Sequence, residues 1–207
     1  MTDLESLLTL FLKDSLSPDQ LRKLQTHFDL LLKWNAKISL TAIRDPQEIV
    51  RRHFGESLFA GALLDLKPGA QLADLGSGAG FPGLPIAVLH PKIRVVVMES
   101  QQKKVAFLRE VIRSARISNA SVHAGRAEES DGKSQIVTMR AVEKFESALP
   151  IAASLLEAHG ELALLIGAAQ VQIARSRLPA LAWREPVLIP ESRERVLLVG
   201  SKLTATP

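Results

Sequence analysis

Apolar residues recur at helical spacing through the first third of the chain. The clearest case follows Ser17–Gln20, a stretch that combines an N-cap, a first-turn proline and a reciprocal cap. Similar start signals at Thr2–Glu5 and Asp45–Glu48 open two further amphipathic patterns, the second of which runs to about Leu64. We therefore expect residues 1–65 to form an all-helical N-terminal extension, packed on the same body as the rest of the chain.

From residue 66 onward, short apolar runs alternate with helical patterns. The runs are LADL (72–75), RVVVM (94–98), ASVH (120–123), QIVTM (135–139) and ELALLI (161–166). The helical patterns lie at about 84–90, 100–116, 143–159 and 168–177. This alternation predicts a doubly wound, mostly parallel sheet. The last two runs, 186–190 and 195–200, are joined by a short polar turn and predict an antiparallel hairpin. The expected fold class is α/β and Rossmann-like, with one domain over residues 66–207.

The stretch LADLGSGAGFPGLPIA (72–87) follows the first predicted strand and allows two interpretations. Gly78-x-Gly80-x-x-Gly83 matches the fingerprint of dinucleotide-binding enzymes. Asp74-x-Gly76-x-Gly78-x-Gly80 matches the acidic-glycine pattern of S-adenosylmethionine enzymes. Glycines alone do not decide between the two, because both ligands require close approach of the backbone.

The prolines of this stretch argue against a phosphate ligand. Pyrophosphate is held by free backbone N–H groups at a helix N-terminus, and Pro82 and Pro85 have none to offer. S-adenosylmethionine carries a sulfonium and an ammonium group, which suit the carboxylate of Asp74. Glu99, at the end of the second predicted strand, can bind the two ribose hydroxyls of either cofactor. The alternatives are that Asp74 holds a turn and that Glu99 caps the following helix.

Composition narrows the classes of protein. The chain has 207 residues, 46% of them hydrophobic, and no run long enough to span a membrane. It has no cysteine, which excludes disulfides, thiolate metal sites and a cysteine nucleophile, and we expect no metal. A formal charge of +4 is compatible with a polyanionic partner. We expect a cytoplasmic protein with no membrane partner, and a monomer by default.

If the reaction is methyl transfer, the residue types restrict the acceptor. Methylation of cytosine C5 requires a cysteine, and methylation of amino groups usually uses an Asp/Asn-Pro-Pro motif with an aromatic end; the chain has neither. The loop after the fifth predicted strand offers no lysine for activating a ribose hydroxyl. N7 of guanine is already a free lone pair, so positioning and electrostatics can suffice. This argument permits N7 but does not require it.

Several basic residues are candidates for the acceptor side. Arg140 closes the fourth predicted strand, where it could position the target base or the cofactor carboxylate, or could form a structural salt bridge. Arg51, Arg52 and His53 lie on the third N-terminal helix and could contact an RNA backbone, or could form a solvated face. For His53, polar packing is a further alternative. Trp34 is expected to belong to the core.

Taken together, these motifs resemble the RsmG (GidB) family of bacterial small-subunit rRNA methyltransferases. The resemblance covers nearly the whole chain. It rests on KWNAKISLTAIRDP (33–46), RRHFGES (51–57), ADLGSGAGFPGLPIA (73–87), ESQQKKVAFLRE (99–110), GRAEE (125–129) and MRA (139–141).

The resemblance implies a class I methyltransferase fold, S-adenosyl-L-methionine as donor, and transfer to N7 of a guanine in 16S rRNA, on free rRNA or on the ribosomal subunit. With the residue-based candidates, the expected cofactor contacts are Asp74, Gly76, Ser77, Gly78, Phe81, Glu99, Ala127, Glu128 and Arg140. Three positions depart from the family pattern: Ser39 stands for Asn, Glu56 for Asp, and Ile166 for the lysine that usually ends the fifth strand. If the family's lysine contacts RNA or the target base, the last departure implies a weakened or rearranged acceptor side.

Two other functions fit the sequence less well. An NAD-dependent oxidoreductase would use the Gly78–Gly83 register. A non-catalytic module that binds RNA or the ribosome would explain the missing lysine at Ile166. Methyl transfer to N7 of a guanine in 16S rRNA is the function that the sequence favours.

Overall fold

The computed structural model describes residues 4–142 and 144–203. The helices are α1 (Leu4–Leu8), α2 (Pro18–Asn35), α3 (Pro46–Ile49), α4 (Glu56–Leu63), α5 (Gly83–Leu89), α6 (Gln102–Ser114), α7 (Phe145–Ser154) and α8 (Val171–Arg177). The strands are β1 (Gln71–Leu75), β2 (Arg94–Glu99), β3 (Ala120–Ala124), β4 (Ser134–Arg140), β5 (Leu156–Gly167), β6 (Leu181–Trp183), β7 (Val187–Leu188) and β8 (Arg195–Lys202). Short 3-10 segments cover Thr9–Phe11, Ala127–Glu129 and Ala168–Gln170, and a π-helix covers Val50–Gly55.

The strands form one mixed sheet in the order β3-β2-β1-β4-β5-β8-β6, with β7 paired to β8. Strands β1 to β5 run parallel, and β8 lies antiparallel to β5, β6 and β7. This confirms the α/β class, the parallel sheet and the terminal hairpin. The short strand β6 is not among the predicted strands, because a run of three apolar residues (LAW) is too short to indicate a strand without its pairing to β8. The strand order reverses between β1 and β4, and ligands of such sheets bind in the crevice at that point.

The predicted helix over 143–159 is wrong at its C-terminal end. Helix α7 stops at Ser154, and β5 begins at Leu156. Leu156 is buried and pairs with Ser134 of β4, ahead of a shift in register. The early start of β5 therefore depends on its pairing with β4. The spacing of apolar residues along the chain does not reveal this pairing.

The N-terminal start signals are confirmed where they are described. The Ser17 side chain accepts a hydrogen bond from the Gln20 backbone, and the Gln20 side chain accepts one from the Ser17 backbone. Thr2 lies outside the described residues. The predicted helix at 45–64 has the expected bounds, but its middle is the π-helix.

Two hydrophobic clusters cover the two faces of the sheet. The first combines the N-terminal helices with α5, α6 and one face, for example Leu24 and Leu31 with Leu72 and Val95. The second combines α7 and α8 with the other face. The N-terminal helices thus share a core with the sheet, while the division of the chain at residue 65 stays a prediction. Within the described ranges, no helix has both the length and the apolar character needed to cross a membrane.

The π-helix lies where the chain packs against Phe11. A Cβ atom added at Gly55 would lie 2.5 Å from the Phe11 ring, and both residues are buried. Only a residue without a side chain fits at this contact. Because π-helical turns are frequent at functional sites, residues 50–55 are candidates for a place in the site.

We expect Gly55→Ala to destabilise the fold by about 1–3 kcal/mol, because the added methyl group overlaps the buried Phe11 ring. Helix propensity alone would favour alanine by about 1 kcal/mol, so the two effects differ in sign. Urea denaturation measures the change. Gly132→Ala is the control, since its nearest neighbour is 3.4 Å away. A stabilised Gly55→Ala protein would contradict the contact.

Candidate functional site

A cavity of about 690 Å³ opens at the carboxyl ends of β1, β2 and β4. We call it the main cavity, and its volume is typical of small-molecule sites. Its wall includes every predicted cofactor residue except Asp74. These residues are Gly76, Ser77, Gly78, Phe81, Glu99, Ala127, Glu128 and Arg140. The structure therefore brings together residues from four separate segments of the chain.

The glycine loop, residues 76–81, forms one side of the main cavity. Gly76 and Gly78 have φ values of +66° and +57°, which residues other than glycine rarely adopt. The prediction that these glycines serve positive φ is confirmed.

Asp74 lies beneath the glycine loop and does not reach the main cavity. Its side chain is fully buried. One carboxylate oxygen accepts from the Ser77 hydroxyl at 2.5 Å and from the Gly83 N–H at 3.0 Å, and the other accepts from the Thr138 hydroxyl at 2.8 Å. Burial raises the pKa of Asp74 to about 6, and these hydrogen bonds oppose the shift. The predicted direct contact with the cofactor's positive charge is therefore corrected to a role in positioning the loop.

The first turn of α5 has no backbone donor available for a phosphate. The Gly83 N–H binds Asp74, the Leu84 N–H binds the Gly80 carbonyl, and the Ile86 N–H binds the Pro82 carbonyl. Pro85 has no N–H. In the loop itself, the Ser77 N–H binds Met98 and the Gly78 N–H binds Glu99. These hydrogen bonds agree with the prediction, made from Pro82 and Pro85, that the loop does not bind a phosphate. They give no support to the dinucleotide interpretation.

Glu99 lies in the wall of the main cavity at the end of β2, with 7% of its surface exposed. Its carboxylate accepts from the Gly78 N–H at 3.1 Å and from the Gln101 N–H at 2.8 Å. It thus holds the loop and caps the chain entering α6. Each carboxylate oxygen can accept further bonds, so a contact with ribose hydroxyls stays compatible with these two bonds.

Ala127 and Glu128 lie on the segment after β3 and form the opposite wall of the main cavity. Ala127 is buried and Glu128 is exposed. Ala127 supplies a small apolar surface, and Glu128 supplies acceptors at the rim. This placement is what the interpretation as an adenine-flanking segment requires.

Phe81 ends the glycine loop and lies between two imidazole rings. The His27 ring stacks on it at 4.9 Å and 14°, and the His53 ring stacks on it at 5.0 Å and 27°. Phe54 meets the same ring edge-on at 4.9 Å. All three partners come from the N-terminal helices, so these helices fix the end of the loop.

His53 is buried and lines the main cavity. The Arg140 guanidinium can only donate, so at 2.9 Å it requires His53 Nδ1 to be the acceptor. His53 Nε2 then carries the proton and donates to the Thr41 hydroxyl at 2.7 Å. Burial, and the nearby Arg140 charge, lower the pKa of His53 to about 2. The side chain of His53 is thus a neutral part of the cavity wall, which agrees with polar packing, and its contact with RNA stays a prediction.

Arg140 reaches the main cavity but is held by protein groups. Its guanidinium donates to Glu56 at 3.3 Å, to the Arg52 carbonyl at 2.8 Å and to His53. Burial lowers the pKa of Arg140 to about 10, against the attraction of Glu56, so it remains charged at neutral pH. The salt bridge, which was the alternative interpretation, is present, and the guanidinium still presents a fixed positive charge to the cavity wall.

Glu56 is the acceptor of a cluster of three arginines. Its buried carboxylate accepts from Arg140, from Arg52 at 3.0 Å and from Arg195 at 2.7 Å. The departure from the family's Asp therefore falls at the junction of the π-helix, β4 and β8. A longer side chain at this point still supplies the carboxylate that the arginines require.

Arg51 and Arg52 are half-buried and do not line the main cavity. They border a separate hollow of about 160 Å³ with Glu48 and Phe11. Arg52 is bound to Glu48 and Glu56. Their assignment to RNA binding stays a prediction.

Some cavity residues escaped the sequence analysis. Thr41, Met98, Lys104 and Lys144 line the main cavity, and His27 supports the loop from behind. Lys104 follows Glu99 in the QQKK segment and could have been noticed there. His27 has no signal, because an isolated histidine on an apolar helix face is typical of a core. Ile166 is buried in the second cluster, so the end of β5 presents no charge at this position.

The comparisons with known proteins agree on one family. The family model described as "GidB: rRNA small subunit methyltransferase G" matches residues 20–180. A relative named "Ribosomal RNA small subunit methyltransferase G" from Desulfitobacterium hafniense (strain Y51) is 33% identical over 206 residues, which cover 93% of this chain and 85% of the relative. The protein of that name from Roseiflexus sp. (strain RS-1) is 38% identical over 189 residues, covering 85% of this chain and 80% of the relative.

Two solved methyltransferases of distant sequence have a similar fold. Magnesium protoporphyrin IX methyltransferase (ChlM) from Synechocystis PCC 6803, solved with bound SAM, has a TM-score of 0.66 at 14% identity and covers 85% of this chain and 97% of its own. P. horikoshii TYW2 in complex with MeSAdo has a TM-score of 0.62 at 17% identity, covering 81% of this chain and 66% of its own. These likenesses confirm the class I methyltransferase fold.

We expect Asp74→Asn to remove a titration from the folded protein. The pKa of Asp74 is raised from 3.8 to about 6, so between these values the folded state binds this proton more tightly than the unfolded chain. The contribution of Asp74 to stability therefore falls as the pH rises through this window, by at most ~1.4 kcal/mol per pH unit. Urea denaturation at several pH values should show the free energy of unfolding shifting in favour of Asp74→Asn between about pH 4 and pH 6. A difference that does not change over that range would contradict the buried, ionised Asp74.

Proposed function

The chain belongs to the GidB family of rRNA small subunit methyltransferases G, and from this we propose that it uses S-adenosylmethionine to methylate N7 of a guanine in 16S rRNA. The observation that carries the choice of cofactor is that the N–H groups of Gly78, Gly83 and Leu84 already bind protein acceptors. Such a loop suits a ligand without a phosphate.

The residues of the main cavity fit that cofactor group by group. The segment Ala127–Glu128 provides an apolar surface and a rim acceptor for an adenine. Glu99 provides carboxylate oxygens at the strand end for a ribose. Gly76, exposed and with positive φ, lets the backbone approach the ligand closely. Lys104 and Lys144 are cations in the wall that could pair with a carboxylate.

S-adenosylmethionine, when bound, supplies an activated methyl group on a sulfonium, and the positive charge passes to the acceptor. The protein's own part is to orient and to exclude water. The glycine loop is fixed by Asp74, Glu99 and the aromatic contacts of Phe81. Arg140 keeps a fixed charge and position beside His53, so the acceptor side of the cavity has a defined shape.

The His53 imidazole in the cavity wall is not available as a general base, which agrees with a methyl acceptor that needs none. His53 is the ordinary candidate for a general base in this wall, but one of its nitrogens accepts from Arg140 and the other donates to Thr41. Its pKa, lowered to about 2, makes it a poor proton acceptor at neutral pH. N7 of guanine attacks with its own lone pair, so the reaction does not require a general base.

Residues 1–65, which we propose as an extension of a methyltransferase domain at 66–207, would contribute to the RNA-facing side. The π-helix carries His53 in the cavity wall, with Arg51 and Arg52 just before it in sequence. An RNA backbone that crosses this helix could present a base to the main cavity. With rRNA or the ribosomal subunit as substrate, we place the protein in the cytoplasm, as a monomer.

Methyl transfer to isolated 16S rRNA and to small subunits tests the proposal. Incubation with radiolabelled S-adenosylmethionine should label the RNA, and mass mapping should find the product as 7-methylguanosine at one position. Asp74→Ala should reduce labelling strongly, because it removes the carboxylate whose three hydrogen bonds join the loop to α5 and β4. Cofactor binding without labelling of either substrate would favour the non-catalytic alternative.

Arg51→Glu should weaken RNA binding and leave cofactor binding unchanged. Arg51 is preferable to Arg52 because Arg52 is bound to Glu56, and its loss would disturb the arginine cluster. Filter binding at increasing salt should show a shallower dependence, by about one unit of slope for one lost phosphate contact. Arg109→Glu, an exposed position on α6, is the control for net charge. Equal weakening by both variants would contradict a specific role of the π-helix.

A further inference from the structure

A second support of the glycine loop comes from outside the sheet. His27, on helix α2, is 1% exposed and lies 52 residues before Ala79 in the chain. Its Nε2 atom lies 2.8 Å from the Ala79 carbonyl oxygen. A carbonyl can only accept, so Nε2 carries the proton and donates.

This hydrogen bond acts on a part of the loop that otherwise lacks a side chain to hold it. Ala79 lies between Gly78 and Gly80, which have φ values of +57° and +90°. The Gly80 N–H, on the same peptide unit as the Ala79 carbonyl, binds the Ser77 carbonyl at 2.8 Å. The bond from His27 therefore completes the hydrogen bonds of this peptide unit and fixes its orientation.

The surroundings of His27 hold the imidazole in one orientation and keep it neutral. It stacks on Phe81, meets Phe54 edge-on at 5.0 Å, and lies 6.0 Å from the Phe107 ring. Burial lowers the pKa of His27 to about 4, although the bond to Ala79 favours the charged form. The imidazole thus contacts the loop twice, through a hydrogen bond to Ala79 and a stacked ring on Phe81.

We propose that His27 is a positioning residue for the cofactor, so that helix α2 supplies part of the cofactor site. The residue does not line the main cavity, and Ala79 and Phe81 do. His27 acts through them from the side of the loop that faces the core. The proposal rests on the proposed function, because it takes S-adenosylmethionine as the ligand of the loop.

Two variants separate the hydrogen bond from the ring. His27→Phe keeps an aromatic ring among Phe54, Phe81 and Phe107 but has no donor. His27→Gln keeps an N–H donor at a similar reach but has no ring. Leu24→Ala, one turn earlier on α2, is the control, because Leu24 is fully buried in the same core and has an apolar side chain.

Calorimetric titration with S-adenosylmethionine should give a Kd about 10- to 100-fold higher for His27→Phe, since it leaves a buried carbonyl without its donor. His27→Gln should stay within about threefold of the wild type, with a lower Tm. Leu24→Ala should also lower the Tm without changing the Kd. In steady-state assays His27→Phe should raise the KM for the cofactor and leave the KM for RNA unchanged.

Amide hydrogen exchange of the ligand-free proteins measures the stability of the loop without the cofactor. Peptides covering residues 76–81 should exchange faster in His27→Phe than in the wild type, with the remaining peptides unchanged. Equal exchange of the loop in both proteins, or an unchanged Kd in His27→Phe, or an equal rise in Kd in Leu24→Ala, would overturn the role of His27. A wild type that protects the loop but does not bind S-adenosylmethionine would instead contradict the proposed function.

Discussion

The hydrogen bonds of the buried Asp74 carboxylate are the interaction on which the rest of the site depends. Burying an ionised group is costly unless each of its acceptors is used. Here Ser77, Gly83 and Thr138 supply those bonds, so the carboxylate draws the start of the glycine loop, the start of α5 and strand β4 to one point. The same bonds use the N–H of Gly83 that a phosphate would have needed. The shape of the loop and the kind of ligand it can take therefore have a common cause.

The acceptor side is organised around a second buried carboxylate. Glu56 is 1% exposed and accepts hydrogen bonds from Arg52, Arg140 and Arg195, which come from the π-helix, β4 and β8. Removal of one partner from such a cluster would leave uncompensated charge in the interior. Arg140 also binds His53, and its charge adds to the effect of burial, which is the main reason that the pKa of this imidazole is low and the ring is neutral. Arg140 therefore takes part in a structural ion pair with Glu56 and in the wall of the site at the same time.

The periodicity of the sequence was enough to predict most of the elements. Strands β1 to β4 lie within one or two residues of their predicted runs. For β1, β2 and β4 the reason is that strands buried in a parallel sheet are rich in apolar residues. The capping box at Ser17–Gln20 is local and was equally predictable. The start of β5 and the strand β6 were not, because they depend on pairing with distant strands. The π-helix was not predictable either, and Gly55 within it contacts Phe11, a residue distant in the chain.

The sequence by itself determined the fold class, the ligand loop and the family, because these depend on periodicity, on the two prolines and on a run of local motifs. The roles of individual side chains were decided only by the tertiary structure. Asp74 holds the loop instead of facing the ligand, and His53 lies in the cavity wall with Arg140 bound to its Nδ1 atom. His27 gave no signal in the sequence, yet it donates to Ala79. The direction in which a side chain points, and the partners it finds, depend on residues far away in the chain, and these are close only after folding.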